Sequence, residues 1–159
     1  MDRVNAILKD EEYKDYLGRI KECEKTRKFC KHNMRHFMDV ARIGYILAVD
    51  NGLDVDKEIV YAIGLLHDIG RFVQYLDKTP HEKASAKLAP DILKRCGFNE
   101  DETKVIISCI LNHRNKSNIQ GSLEQIIYKA DKMSRPCYAC KVEKDCNWDK
   151  DKKNMEISI

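Results

Sequence analysis

Several residues that can bind metals continue apolar helical stripes. His36 lies four residues before Val40, on a stripe that includes Ile43 and Leu47. Ile59 and Ile63 lead by steps of four to His67, with Asp68 directly after it. Val105 and Cys109 lead to His113 by the same step, and Leu123 and Ile127 lead to Asp131 beside Ala130. His81 shares a helical face with Ala84 and Leu88. A single core-facing histidine is ordinarily a hydrogen-bonded structural residue. An inward ionised aspartate is costly unless it is paired or bound to a cation. Together these residues are all His or Asp, drawn from five separate helical segments. Imidazole nitrogen with carboxylate oxygen is the ligand set of Zn, Mn and Fe(II) sites, so the pattern predicts a metal centre.

Sulfur forms a second grouping. The chain has seven cysteines, an odd number that fits a reducing compartment. Cys137 and Cys140 stand in a C-x-x-C, and Cys146 follows. The spacing suits thiolate ligands to a structural zinc or an iron–sulfur cluster, with Cys30 the candidate fourth ligand. Free thiols in a tail are the alternative, and both readings stand. Cys109, on a core stripe, reads as packing.

The elements that carry these residues read as helices. Only seven Gly and three Pro punctuate the chain, and no stretch alternates as a strand does, so the fold class is all-α. The periodicity predicts a bundle of about six helices. The first covers roughly Glu11 to Cys30 and the second Asn33 to Asp50, stopped by Asn51-Gly52. The third begins at the N-cap Asp56 and ends near Asp68, before Gly70. The fourth opens at Thr79-Pro80, is kinked or split by Pro90, and closes at Gly97. The fifth runs from Glu100 to Asn112. The sixth starts at Gly121-Ser122, with Ser122 and Gln125 spaced as a capping box, and ends by Pro136. From Cys137 the tail is charged and has no legible fold.

At 159 residues the chain suits one domain, with a core over about 30–135 and a Cys-bearing tail over 136–159. Its net charge of +3, with basic and acidic residues interleaved, gives no footprint for a nucleic-acid polymer. No apolar run reaches the roughly 20 residues that span a bilayer, and the N-terminus lacks a signal-peptide layout. The expected location is cytoplasmic.

The order His36, His67-Asp68, Asp131 resembles the HD-domain superfamily. Tyr61-Ala62-Ile63-Gly64-Leu65-Leu66-His67-Asp68-Ile69-Gly70-Arg71 resembles its central motif, His36-Phe37-Met38-Asp39-Val40-Ala41 its first, and Tyr128-Lys129-Ala130-Asp131-Lys132 its last. The resemblance implies a helical bundle around a divalent transition metal (Fe, Mn, Zn, Ni or Co) and hydrolysis of a phosphate ester. It makes His36, His67, Asp68 and Asp131 the core ligands. His81 and His113 match two further histidines of two-metal members, with Asp68 bridging the ions. The chain lacks the downstream Gly-Tyr-Pro element of the cyclic-dinucleotide phosphodiesterases, which argues against that substrate class.

The expected chemistry is attack of metal-activated water on phosphorus, with His67 and Asp68 at its centre. Arg71, Arg114, Lys132 and Arg135 are the candidates for phosphate contact. Arg27 and His32 lie just before the first motif, near enough in sequence to reach the cavity mouth. The expected substrate is a small phosphorylated metabolite, a nucleotide foremost, with specificity set by the loops at 74–80 and 114–121. No membrane partner is expected, and a homodimer is allowed. Two other functions fit the same ligands: an HD-type di-iron oxygenase, and a non-catalytic metal or nucleotide sensor.

Overall fold

The helix at the centre is apolar on every side. Over Lys57–Leu66, residues Val60, Ala62, Ile63, Leu65 and Leu66 are fully buried, which requires neighbours all round. A computed structural model describes residues 1–115 and 122–159, with the backbone alone at Ser122. Among the described residues it contains eight α-helices, three 3₁₀ turns and no strands. The helices are α1 (Asp2–Lys9), α2 (Glu11–Cys23), α3 (Met34–Asp50), α4 (Lys57–Leu66), α5 (Arg71–Asp77), α6 (His81–Arg95), α7 (Glu100–Asn112) and α8 (Ser122–Met133). Helix α4 packs against α3, α7 and α1, α3 also packs on α8, and α6 lies between α5 and α7.

The caps explain most of the boundaries. The side chains of Asn33, Asp56 and Asn99 accept the backbone N–H of His36, Glu58 and Glu102 at the starts of α3, α4 and α7. At α7 the Glu102 carboxylate returns to the Asn99 N–H, completing a capping box. The capping box expected from Ser122 lies outside the described residues.

The all-α reading holds, and the described residues form eight helices, two of them short, where about six are expected. Helices α1 and α5 were not anticipated. The helix expected over Glu11 to Cys30 ends at Cys23, and the chain then runs irregularly to Asn33. There the buried Glu24 carboxylate accepts the His32 N–H at 2.7 Å, a local bond that competes with helix. Pro90 does not split α6. It and Ala86, whose carbonyl loses its helical partner, both lie on the half-buried face of the helix. Val105 is 43% exposed, so the buried stripe leading to His113 is Ile106, Cys109 and Ile110.

Two glycines set the spacing of the site. A Cβ on Gly64 would stand 2.6 Å from the Ala41 backbone, so α3 and α4 meet with no side chain between them. A Cβ on Gly70 would stand 2.3 Å from the Ser85 backbone nitrogen, while the Gly70 N–H donates to Ser85 Oγ at 2.9 Å. The first approach brings His36 to His67. The second lays the start of α6, with His81, across the turn that carries Asp68.

Candidate metal centre

His36 stands in the first turn of α3, His67 at the C-cap of α4, Asp68 in the turn before α5, His81 first in α6, His113 at the C-cap of α7 and Asp131 in the last turns of α8. Five helices and one turn therefore deliver six side chains to one place. Helix ends are suited to this, because a residue there leaves the stripe without breaking the i→i−4 ladder.

The ligand atoms fall into two sets that share Asp68. His36, His67, Asp68 and Asp131 offer four atoms all within 4.8 Å of one another, and Asp68, His81 and His113 offer three more under the same limit. The two oxygens of Asp68 divide between the sets. Oδ2 lies 3.7 Å from His36 Nε2 and 3.5 Å from His67 Nε2. Oδ1 lies 3.0 Å from His81 Nε2 and 3.6 Å from His113 Nε2. Asp131 Oδ1 closes the first set, 3.5 Å from His36 Nε2 and 4.0 Å from His67 Nε2.

The donor set fits divalent cations. His67 and His113 direct Nδ1 at the carbonyls of Gly64 and Ile110, at 2.8 and 2.6 Å. Those bonds place the ring proton on Nδ1 and leave the Nε2 lone pair for a ligand. His36 Nδ1 meets Ser134 Oγ at 3.0 Å, while that hydroxyl donates to the Asp131 carbonyl. His81 Nδ1 lies 2.5 Å from Gln74 Oε1 and 2.6 Å from Arg71 Nη1, which make opposite demands on it; a ligating Nε2 selects the Gln74 bond. Nε2 atoms then face each other at 3.2 Å across His36 and His67, and at 3.3 Å across His81 and His113. Lone pairs at that separation repel unless a cation lies between them. Asp68 Oδ1 and Asp131 Oδ1 are buried and accept no hydrogen bond, which is costly for a carboxylate that has no cation.

Protonation states agree. Burial lowers the His67 imidazole to about 3, with His113 and His36 adding to the effect, so it is neutral. Burial also lowers His81. Burial would raise Asp68, but the imidazoles that face it, His67 first and then His113, His36 and His81, hold it well below the usual carboxylate range. Burial is likewise outweighed at Asp131, chiefly by Lys132 and Arg135. His113 differs: burial would lower it, but Asp68 outweighs burial and raises it, a shift toward the protonated form that a bound cation would have to displace. Ionised carboxylates and neutral imidazoles are the forms that bind metal.

The four basic candidates occupy different places. Lys132 pairs with Asp131 Oδ2, and Arg135 Nη2 lies 3.5 Å from Asp131 Oδ1 with its guanidinium 4.4 Å from the Trp148 ring. Arg71 lies against Gln74 and His81. Arg114 is half exposed at the rim and pairs with Glu82 at 3.2 Å. The four sulfur candidates, Cys30, Cys137, Cys140 and Cys146, line one cavity that His36 also borders. They form no group of three ligand atoms within 4.8 Å, unlike the His and Asp residues.

His32 reaches further than the cavity mouth. It is 5% exposed, and its Nε2 lies 3.6 Å from Asp68 Oδ2. Its Nδ1 donates to Glu24 Oε1 at 2.5 Å, and Tyr75 Oη donates to the same oxygen at 2.7 Å. Arg27 supports this corner, donating to the Cys30 carbonyl at 2.7 Å. Sequence reasoning missed Glu24 and Tyr75. The available signal was His32 itself, four residues before His36 and directly before its cap.

Residues 33–135 match the model of a family described as the HD domain, and the chain belongs to that family. Among curated relatives, an uncharacterised protein of Clostridium beijerinckii is 47% identical over 157 residues, 99% of both chains. Ribonuclease Y of Mycoplasma mycoides subsp. mycoides is 32% identical over 101 residues, 64% of this chain and 18% of its own length. Ribonuclease Y of Oleidesulfovibrio alaskensis is 32% identical over 118 residues, 74% of this chain and 20% of its own length. The chain thus spans about a fifth of these ribonucleases. No solved structure shows a significant match. No helix among the described residues is long and apolar enough to cross a membrane.

Proposed function

We propose that the protein hydrolyses a phosphate ester of a nucleotide or small phosphorylated metabolite, using water activated at a two-metal centre. The observation that carries this reading is the division of Asp68: one carboxylate oxygen faces His36 and His67, the other His81 and His113. Divalent transition metals held there would supply Lewis acidity and acidify water near neutral pH. The chain's own residues do the positioning. Ionised Asp68 fixes the separation of the two sets. His32, its ring clamped by Glu24, turns a free Nε2 toward the same oxygen of Asp68 and can hold a water by hydrogen bond. Arg135 and Lys132 stand beside Asp131, and Arg71 beside His81, so cationic groups flank the centre on two sides where phosphoryl charge develops. The relatives named ribonuclease Y share the HD region, which supports phosphate-ester chemistry and makes a short RNA a useful comparison.

The test is phosphate release from nucleotides, sugar phosphates and a short RNA, with Mn(II) or anaerobic Fe(II), for the wild type and Asp68→Ala. Release by the wild type, reduced by at least roughly 1000-fold in the variant, is expected, since removing the bridging ligand disables both sets. Metal retained with no release from any substrate, and oxygen consumed instead, would sink the proposal in favour of an oxygenase.

A further inference from the structure

The 24 residues from Pro136 to Ile159 have a defined path and no core. None of them is buried, and their regular structure is three 3₁₀ turns, at Cys137–Ala139, Glu143–Asp145 and Lys150–Lys152. What holds them is polar. Asn154 Nδ2 donates to the carbonyls of Lys132 and Arg135 at 2.7 and 3.0 Å, and the Tyr138 N–H donates to the Asn154 carbonyl at 3.0 Å. A segment of this size with no fully buried side chain ordinarily needs a covalent or metal staple.

The cysteines supply one. Four of the seven, Cys30, Cys137, Cys140 and Cys146, line a single cavity of about 360 Å³. Cys96 and Cys109 are buried in the core and Cys23 is exposed on α2. A mononuclear zinc site would need its sulfurs roughly 3.8 Å apart, the edge of a tetrahedron with 2.3 Å bonds. No three of these sulfurs lie within 4.8 Å of one another. A cubane cluster, whose ligands radiate from four separate iron atoms, needs sulfurs about 6 Å apart around a cavity. The walls are also cationic: Lys28, Lys31, Arg35, Arg135, Lys141 and Lys153 line the cavity against Asp39 and Glu143. Such a lining suits a four-thiolate cluster, which carries net negative charge. Lys153, whose ammonium donates to Glu143 Oε1 at 2.6 Å, lines the same cavity as Cys137 and Cys146.

We infer that Cys30, Cys137, Cys140 and Cys146 bind a [4Fe–4S] cluster. On binding, each cysteine sulfur displaces one terminal thiolate from an iron of a preassembled core; the Fe–S bond to that thiolate breaks, the departing thiolate takes up the proton the cysteine loses, and no oxidation state changes. The cluster ties the tail to the segment before α3 and to the end of α8, against the outer side of His36, which borders the same cavity.

The test uses the full chain, purified anaerobically or reconstituted anaerobically with equal ferrous and ferric iron and with sulfide. Iron alone does not discriminate, because the His and Asp centre can hold it, so acid-labile sulfide is the primary readout, with Mössbauer spectra beside it. The wild type is expected to carry about four labile sulfides per chain. Cys137→Ser and Cys140→Ser lose them and Cys23→Ser keeps them. Asp68→Ala keeps the sulfide while losing phosphate release, which separates this inference from the hydrolase reading. Zinc held with no labile sulfide in the wild type overturns the cluster. So does a reconstituted wild type that retains no sulfide and whose tail thiols react fully with Ellman's reagent. Both of those readings come from the wild type, so they stand even where a serine variant fails to fold.

Discussion

Glu24 and His32 form a carboxylate–imidazole pair that does not belong to either ligand set, yet it points at the carboxylate both sets share. Burial would raise the Glu24 carboxyl, but the hydrogen bonds it accepts from His32 and Tyr75 outweigh burial and hold it at about 2. The ionised carboxylate fixes the His32 ring by its Nδ1 proton and by its backbone N–H. The ring therefore has one orientation, with Nε2 toward Asp68. Glu24→Gln keeps the volume and removes the charge. We expect about a 10–100-fold loss of phosphate release, the usual cost of an outer partner, with metal content at the His and Asp centre unchanged. Steady-state kinetics alongside metal analysis would check this. Unaltered turnover would reduce the pair to a structural bond, and loss of metal would make His32 a ligand. Its legibility was uneven in a physically sensible way. His36, His67, His113 and Asp131 were readable because a polar residue closing an apolar stripe breaks a period. Glu24 breaks none: it sits beyond the end of α2, and an irregular segment brings it to the site.

The helices position the ligands by close approach, so the glycines at the contacts are where small changes have large effects. At Gly64 an added methyl would meet the Ala41 Cα, N and Cβ, all at 2.6 Å, and backbone cannot rotate away. Helices α3 and α4 must then separate, costing about 1–3 kcal/mol as overpacking does. The same separation carries His36 from His67. Gly64→Ala should thus lower the urea midpoint and weaken metal binding together. Gly18, on α2, has no atom within 4 Å of the position of an added Cβ. Gly18→Ala should stabilise by roughly 0.5–1 kcal/mol and leave metal binding untouched. If both variants behave alike, helix propensity rather than contact governs, and the close-approach account fails. The elements differ in legibility for a related reason. Helices α3, α6 and α7 span enough turns to display a stripe, with caps such as Asn33 and Asn99 at their starts. Helices α1 and α5 are only 8 and 7 residues long, too short for a period to stand out. The end of α4 was read two residues late, because His67 and Asp68 continue its pattern into a turn.

One arginine joins the first helix to two of the helices that present ligands. Arg3 donates to Glu58 Oε2, Glu102 Oε1 and Asp56 Oδ2 at 2.7, 2.7 and 2.6 Å, and it lies 4.4 Å from the Phe98 ring centre. All three acids stand at the starts of α4 and α7, where negative charge also suits the helix dipole. Those helices end at His67 and His113. The clasp is partly exposed, so each pair contributes little alone; as a network, its loss in Arg3→Ala should cost about 1–2 kcal/mol. Acid should reveal it. Burial would raise the Glu58 carboxyl, but Arg3 outweighs it and holds the group at about 2, below its ordinary 4.5. A depressed folded pKa contributes stability that is full above 4.5 and is lost as pH falls toward 2. The stability gap between wild type and Arg3→Ala should therefore be widest near neutral pH, shrink through that window, and nearly close at its acid end. Urea midpoints measured at several pH values for both proteins decide the matter. A gap that stays constant with pH would mean that Arg3 acts by packing on Phe98, and the charge network would then have no part in holding α1 to the bundle.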